Sequence, residues 1–236
     1  MHDLIRALAH PRELRRRRAA RRFYSTFVRP GSLCFDVGAH LGDRTRVFRD
    51  LDASVIAIEP QPECVHRLER EFGRDSRVTV VPMGLAAAEG ELELSVCDEA
   101  PTVSTMSERW RSEGRFAGQF HWTSTRRVAV TTLDHLIGRF GRPSFVKIDV
   151  EGFERSVIDG LSSPIEQLSF EFTREFIGEA RACVQRLAGL GPISVNASIG
   201  ESMSFLLPAW TRDEDLFARL EALDDPLLWG DIHVRS

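Results

Sequence analysis

Three short stretches of this chain place carboxylates, glycines and an amine where a nucleoside-type ligand could be held and a proton moved. The first, Phe35-Asp36-Val37-Gly38-Ala39-His40-Leu41-Gly42, reads as a strand running into a glycine turn, with a helix starting at Asp43. Two glycines let backbone approach a ligand closely, and the helix N-terminus behind them offers unpaired N–H groups suited to a carboxylate or phosphate. The second is Glu59, 21 residues beyond Gly38 at the end of the next strand, where a carboxylate can accept hydrogen bonds from both hydroxyls of a ribose. The GxxxG spacing lacks the middle glycine that admits a dinucleotide pyrophosphate, so the pair points to a cofactor without one. The third stretch, Phe145-Val146-Lys147-Ile148-Asp149-Val150-Glu151-Gly152, alternates so that Lys147, Asp149 and Glu151 share one side of a strand end. Those groups could orient a reacting centre, hold a substrate hydroxyl or place charge near a cation. The competing reading is a Lys147–Asp149 ion pair that steadies the sheet.

The elements that must position these groups alternate short apolar runs with helical patterns. Strands are expected at 32–37, 54–59 and 78–82, with helices at 43–51 and 62–73, the latter opened by Pro62. This order implies a parallel sheet. Two further β-rich runs, 91–97 and 126–131, flank a polar, aromatic stretch read as a lid-like insertion near 98–125. The winding resumes with a helix at 132–140, strand 144–150, helix 154–161, strand 167–172 and a helix near 176–190. Beyond Gly191-Pro192, strands are expected at 193–198, 204–207 and 231–235, an antiparallel addition to the sheet. Open sheets of this kind bind ligands at the carboxyl ends of their strands, where all three motifs fall.

The division expected is a basic helical extension at 1–30 and one domain at 31–236. Residues 1–30 hold nine arginines against Asp3 and Glu13, whereas the rest of the chain has 22 basic and 33 acidic residues. The extension reads as an amphipathic helix with a solvated basic face; Leu4, Ile5, Leu8 and Leu14 give it an apolar side that could cover the site or pair with another subunit as a homo-oligomer. It has no apolar run long enough for a signal-peptide core or a membrane span, and four cysteines without CxxC spacing read as reduced thiols, so a cytoplasmic protein is expected. An acidic body without an Asn/Asp-Pro-Pro-Tyr-type motif argues against nucleic acid as the partner. Thirty arginines accompany a single lysine, Lys147.

Asp36-Val37-Gly38-Ala39-His40-Leu41-Gly42, Ile58-Glu59-Pro60, Thr131-Thr132-Leu133-Asp134 and Val146-Lys147-Ile148-Asp149-Val150-Glu151-Gly152, in that order, resemble the FkbM family of methyltransferases over about residues 32–175. The resemblance implies a Rossmann-like class I fold: an α/β architecture with a seven-stranded, mostly parallel sheet, its last strand antiparallel, and helices on both faces. It also implies S-adenosylmethionine as methyl donor and a hydroxylated small molecule as acceptor. Carried over by position, Gly38, Ala39, His40 and Gly42 would form the turn that meets the methionine part, with Asp36 and Pro60 also among the cofactor-binding residues. Glu59 would meet the ribose, Met83 and Gly84 the adenine, and Asp149 the methionine or acceptor. His40 departs from the family, which more typically has asparagine there.

Methyl transfer from a sulfonium is an in-line displacement, so placing the acceptor atom about 3 Å from the methyl group and excluding water are the main tasks. An alcohol also needs a base within hydrogen-bond reach. The candidates, in order, are Asp149, Lys147, His121 and Glu171. Asp149 and Glu151 could supply oxygen ligands to a divalent cation, but no complete set is visible, and metal independence is expected. A nicotinamide-dependent oxidoreductase and a non-catalytic Rossmann-like binding module are the alternatives.

Overall fold

The computed structural model describes residues 11–97 and 99–236. Its seven-stranded sheet runs in the order β3-β2-β1-β7-β8-β10-β9, formed by β1 (Leu33–Val37), β2 (Ser54–Ile58), β3 (Val78–Val81), β7 (Phe145–Ile148), β8 (Gln167–Thr173), β9 (Ser194–Ile199) and β10 (Trp229–Arg235). The first five of these in spatial order pair in parallel, and β10 pairs antiparallel with both β8 and β9. The central strands are apolar almost throughout because both faces are covered, β1 and β7 being buried nearly end to end.

Helices α2 (Asp43–Asp50) and α3 (Pro62–Phe72) follow β1 and β2; α5 (Leu133–Phe140), α6 (Glu154–Asp159) and α7 (Ile177–Ala188) serve the second half. Thr132 starts α5 by accepting the His135 N–H at 3.0 Å, and Pro62 opens α3 where its missing N–H costs nothing. A second sheet, in the order β4-β6-β5, is made by β4 (Gly84–Leu85), β6 (Ser124–Thr131) and β5 (Gly90–Val96); helix α4 (Glu108–Glu113) lies in the segment between β5 and β6. All four cysteines are buried and free of disulfides, and among the described residues no helix is long and apolar enough to cross a membrane.

The region after Gly191 differs from expectation. Residues 204–207 form no strand; Phe205 instead packs its ring against Phe23, Phe27 and Trp210, and the neighbour of β9 is β10. An unexpected helix, α8 (Asp213–Glu221), intervenes, with three acids in its first turn and Leu216, Phe217 and Leu220 buried.

One face of the sheet carries a row of buried polar groups that the register aligns across five strands: Asp36, Lys147, Ser169, His233 and Asn196. Helix α1 (Pro11–Tyr24) and the turn after it cover this row with aromatic rings. Phe27 stacks on Phe145 (5.0 Å between centroids) and on His233 (5.2 Å), whose pKa burial pulls down to about 4, so a neutral imidazole meets the ring. Arg17 adds a two-point pairing with Asp50 of α2 at 2.6 Å. Leu4, Ile5 and Leu8 lie outside the described residues, so the apolar side expected of the helix is represented by Leu14, Ala20, Phe23 and Tyr24. Phe27→Ala is expected to cost about 3–5 kcal/mol, as for a buried aromatic ring removed from a core. Thermal denaturation should register a midpoint roughly 10 °C lower.

Candidate active site

The chain leaves β1 into a turn whose shape only glycine permits at its first position. Gly38 has φ +79°, and a Cβ there would stand 1.8 Å from the backbone oxygen of Asp149. The Gly38 and Ala39 N–H groups both donate to Ile58 O at 3.0 Å, fastening the turn to β2. His40 also adopts a left-handed conformation (φ 46°), one that histidine, like asparagine, tolerates better than most residues. Burial pulls the His40 imidazole below its ordinary pKa. Gly42 (φ +83°) starts α2 without a side-chain cap; its own Cα faces Phe72 and Leu68, not the cavity. Asp36, at 2% exposure, accepts from Thr45 Oγ1 at 2.5 Å, and burial raises its pKa to about 6.

Glu59 is the acid that the strand-end position predicts. Its two carboxylate oxygens accept the backbone N–H of His40 and of Gln61, each at 2.8 Å. One carboxylate thereby ties the glycine turn to the end of β2. A carboxylate has about four lone-pair positions, so it can accept further hydrogen bonds. Burial raises its pKa to about 7 despite those two backbone donors and the Gln61 side chain, which also donates to it.

At the end of β7, Lys147 is 1% exposed and lies between two carboxylates, Asp149 (3.2 Å) and Asp231 of β10 (2.8 Å). Burial acts to lower its pKa, but the two carboxylates outweigh this and hold it well above the ordinary lysine value. The ammonium is thus a fixed charge under the site, and the ion-pair reading of Lys147 describes its contacts. Beside it, oxygens of Asp149, Glu151 and Glu171 all lie within 4.8 Å of one another. Burial first, and then the charge on Asp149, pushes Glu151 and Glu171 well above the usual carboxylate range. Glu171 completes a three-carboxylate group of which the sequence pattern alone shows Asp149 and Glu151.

A cavity of about 1700 Å³ runs along the carboxyl ends of the strands. Asp36, Gly38, Ala39, His40, Glu59, Pro60, Met83, Gly84 and Asp149 all line it. Of the four base candidates, Asp149 alone does so. Glu171 lines an adjoining cavity of about 320 Å³ beside Trp110 and Phe176, Lys147 lies beneath the floor, and His121 is exposed and lines neither. The segment between β5 and β6 forms one wall of the larger cavity through Thr102, Ser104, Thr105 and Met106. It is pinned to the strand-end loop: Thr105 Oγ1 donates to Glu151 O at 2.7 Å, and the Trp110 ring lies where a Cβ on Gly152 would be, 2.9 Å from Cε3. Arg115 fixes its far end to Glu175 through paired contacts of 2.9 and 2.7 Å.

Sequence reasoning missed Asp231, and left open whether α1 covers the site or pairs with another subunit. Asp231 is 84 residues from Lys147 and meets it only through the strand order. Of those two roles for α1 the structure favours the first: Leu14, Arg15, Arg16 and Arg17 line the cavity. The nine arginines were the available signal, and their position was not.

Residues 36–201 match the methyltransferase FkbM domain family. The chain is similar to the hexuronic acid methyltransferase AglP of Haloferax volcanii, 25% identical over 186 residues that make up 77% of this chain and 67% of the relative. Among solved structures, it is similar to a precorrin-6y C5,15-methyltransferase from Geobacter metallireducens (TM-score 0.48, 10% identity, 93% of this chain and 88% of that one). It is similar also to a fibrillarin from Aeropyrum pernix with natively bound S-adenosylmethionine (TM-score 0.44, 10% identity, 88% and 68%). With a family match that spans the glycine turn, Glu59 and the Lys147–Gly152 strand end, the chain belongs to the FkbM methyltransferase family.

Proposed function

We propose that the protein is an S-adenosylmethionine-dependent O-methyltransferase acting on a hydroxyl group of a small molecule. The observation that carries the reading is the joint placement of Gly38, Glu59 and Asp149 on one cavity, with Glu59 held by the backbone of the glycine turn. The residues fit the cofactor: Gly38 leaves the turn backbone bare, α2 begins without a side-chain cap, and the Glu59 carboxylate takes two ribose hydroxyls when the Gln61 side chain, its third donor, gives way. Met83 and Gly84 would flank the adenine. Bound there, S-adenosylmethionine supplies a methyl group activated as a sulfonium. Asp149 accepts the proton of the acceptor hydroxyl, and Lys147, locked between Asp149 and Asp231, keeps that carboxylate in place. The similarity to a hexuronic acid methyltransferase supports a hydroxylated acceptor.

Calorimetry with S-adenosylhomocysteine and with NADH tests the cofactor. The expected result is binding of the first alone; tight NADH binding without the other would favour an oxidoreductase. Glu59→Ala should weaken S-adenosylhomocysteine about 100-fold, since two hydrogen bonds to a charged group are lost at about 1.5 kcal/mol or more each. Affinity should also fall with pH. Ribose hydroxyls donate to the ionised carboxylate, so binding is strongest above the Glu59 pKa of about 7 and weakens by up to about tenfold per pH unit below it.

The three clustered carboxylates favour a second reading of the same reaction, in which a divalent cation held by Asp149, Glu151 and Glu171 binds the acceptor oxygen. Loss of turnover on chelation, restored by Mg²⁺, would support it. Turnover unchanged by a chelator supports Asp149 acting as a base alone.

A further inference from the structure

The cavity is larger than one cofactor needs, since ordinary ligand pockets measure roughly 300–1,000 Å³ against the about 1700 Å³ here. Its lining changes sign. Glu59, Asp149 and Glu151 stand at the strand ends, whereas α1 contributes Arg15, Arg16 and Arg17, α2 contributes Arg44 and Arg46, and α3 contributes Arg67. Three of those six arginines are already committed: Arg17 to Asp50, Arg44 to Glu201, and Arg46 to Asp43 and Glu71. Arg15, Arg16 and Arg67 are exposed and make no hydrogen bond or ion pair among the described residues, and of the three Arg15 and Arg16 are neighbours on one helix.

Helix geometry explains why Arg16 is there. It precedes Ala20 by four residues and Phe23 by seven, so it continues the stripe along which α1 is otherwise buried. An apolar residue would extend that stripe if protein lay beneath. What lies beneath is the cavity, and the stripe turns cationic where it reaches it. The second half of the helix is anchored by Phe23, Tyr24 and the Arg17–Asp50 pairing, so the two guanidiniums are carried on a fixed support.

We infer that Arg15 and Arg16 form an anion subsite for the acceptor: the molecule methylated carries a carboxylate or phosphate that these arginines hold while its hydroxyl lies at Asp149. The inference rests on the hydroxyl-acceptor reading above and adds the class of acceptor. A cavity acidic at the reacting end and basic at the outer wall orients a bipolar ligand in one direction only. A polyanion such as RNA fits less well, because the body beyond residue 30 has 33 acidic against 22 basic residues.

The test uses the full chain saturated with S-adenosylhomocysteine and four probes in NMR titrations: glucuronate, glucose 1-phosphate, glucose and a short single-stranded RNA. At least one anionic sugar should bind ten or more times tighter than glucose, and the preference should shrink as salt rises. Preference for glucuronate identifies a carboxylate on the acceptor itself, and preference for glucose 1-phosphate a phosphorylated acceptor. The double variant Arg15→Ala/Arg16→Ala should erase the preference and leave S-adenosylhomocysteine affinity within twofold; Arg16→Glu, checked for an unchanged melting temperature, should do the same.

No tenfold preference in the parent protein, or an undiminished preference in the variants, overturns the inference. So does an equal loss of S-adenosylhomocysteine affinity, which would assign the arginines to the cofactor. Loss confined to a single-stranded RNA probe would assign them to nucleic acid and also overturn it. If the parent protein fails to bind S-adenosylhomocysteine at all, the failure belongs to the proposed function instead.

Discussion

Gly38→Ala is expected to abolish cofactor binding and to lower the melting temperature by roughly 10 °C, the largest structural effect of any single methyl group added to this site. Two costs coincide. The backbone is at φ +79°, a left-handed conformation that costs an L-residue about 1–2 kcal/mol. The added Cβ would also collide with the Asp149 backbone, 1.8 Å from its oxygen and 2.9 Å from its carbon. A backbone collision has no rotamer to relieve it, so β1 and β7 must part where the Asp149 N–H bonds to Val37 O at 3.0 Å. That movement displaces Asp149 and the Gly38–Ile58 contact together, and with them both halves of the site.

The control is Gly138→Ala in α5, where a Cβ meets nothing within 4 Å and the glycine is exposed in a helix. It should be neutral or stabilising by about 0.5–1 kcal/mol. Calorimetry and thermal melting of both variants decide the matter: a Gly38→Ala protein that binds S-adenosylhomocysteine normally would remove the glycine turn from the cofactor site.

What was legible in the sequence follows from the range of the interactions. The glycine turn, Glu59 and the Lys147–Glu151 alternation are local patterns, each complete within one strand and its exit. They were readable because a parallel strand must end near its ligand. Helix α8 was legible too, from the acids at 213–215 and the spacing of Leu216, Phe217 and Leu220, but the expected strand pair at 193–198 and 204–207 passed over it. The strand at 204–207 fails for a tertiary reason: Phe205 fills a gap among Phe23, Phe27 and Trp210, a demand no local pattern announces. Asp231 and Arg16 were hidden in the same way. Their chemistry was visible, but their partners are supplied by strand order and by the docking of α1, which are properties of the whole chain.

The reaction itself turns on Asp149, and Asp149→Asn should lower kcat by about 10²–10⁴ while leaving S-adenosylhomocysteine affinity nearly unchanged. The substitution keeps the shape and removes the charge. Lys147 retains Asp231 at 2.8 Å, so its ammonium is not stranded, and the fold should survive. Removing one negative charge also relieves Glu151 and Glu171, whose ionisation Asp149 opposes. Stability should therefore hold or rise while activity collapses, a combination that a purely structural role for Asp149 does not produce. Lys147→Met should show the converse, losing about 3–5 kcal/mol because Asp231 is left buried without its cation. His121→Ala should change neither quantity, since that side chain is exposed and lines neither cavity. Single-turnover rates with a competent acceptor, paired with denaturation curves, distinguish these cases; an Asp149→Asn enzyme that keeps more than a tenth of the parent rate would leave the acceptor proton without its assigned base.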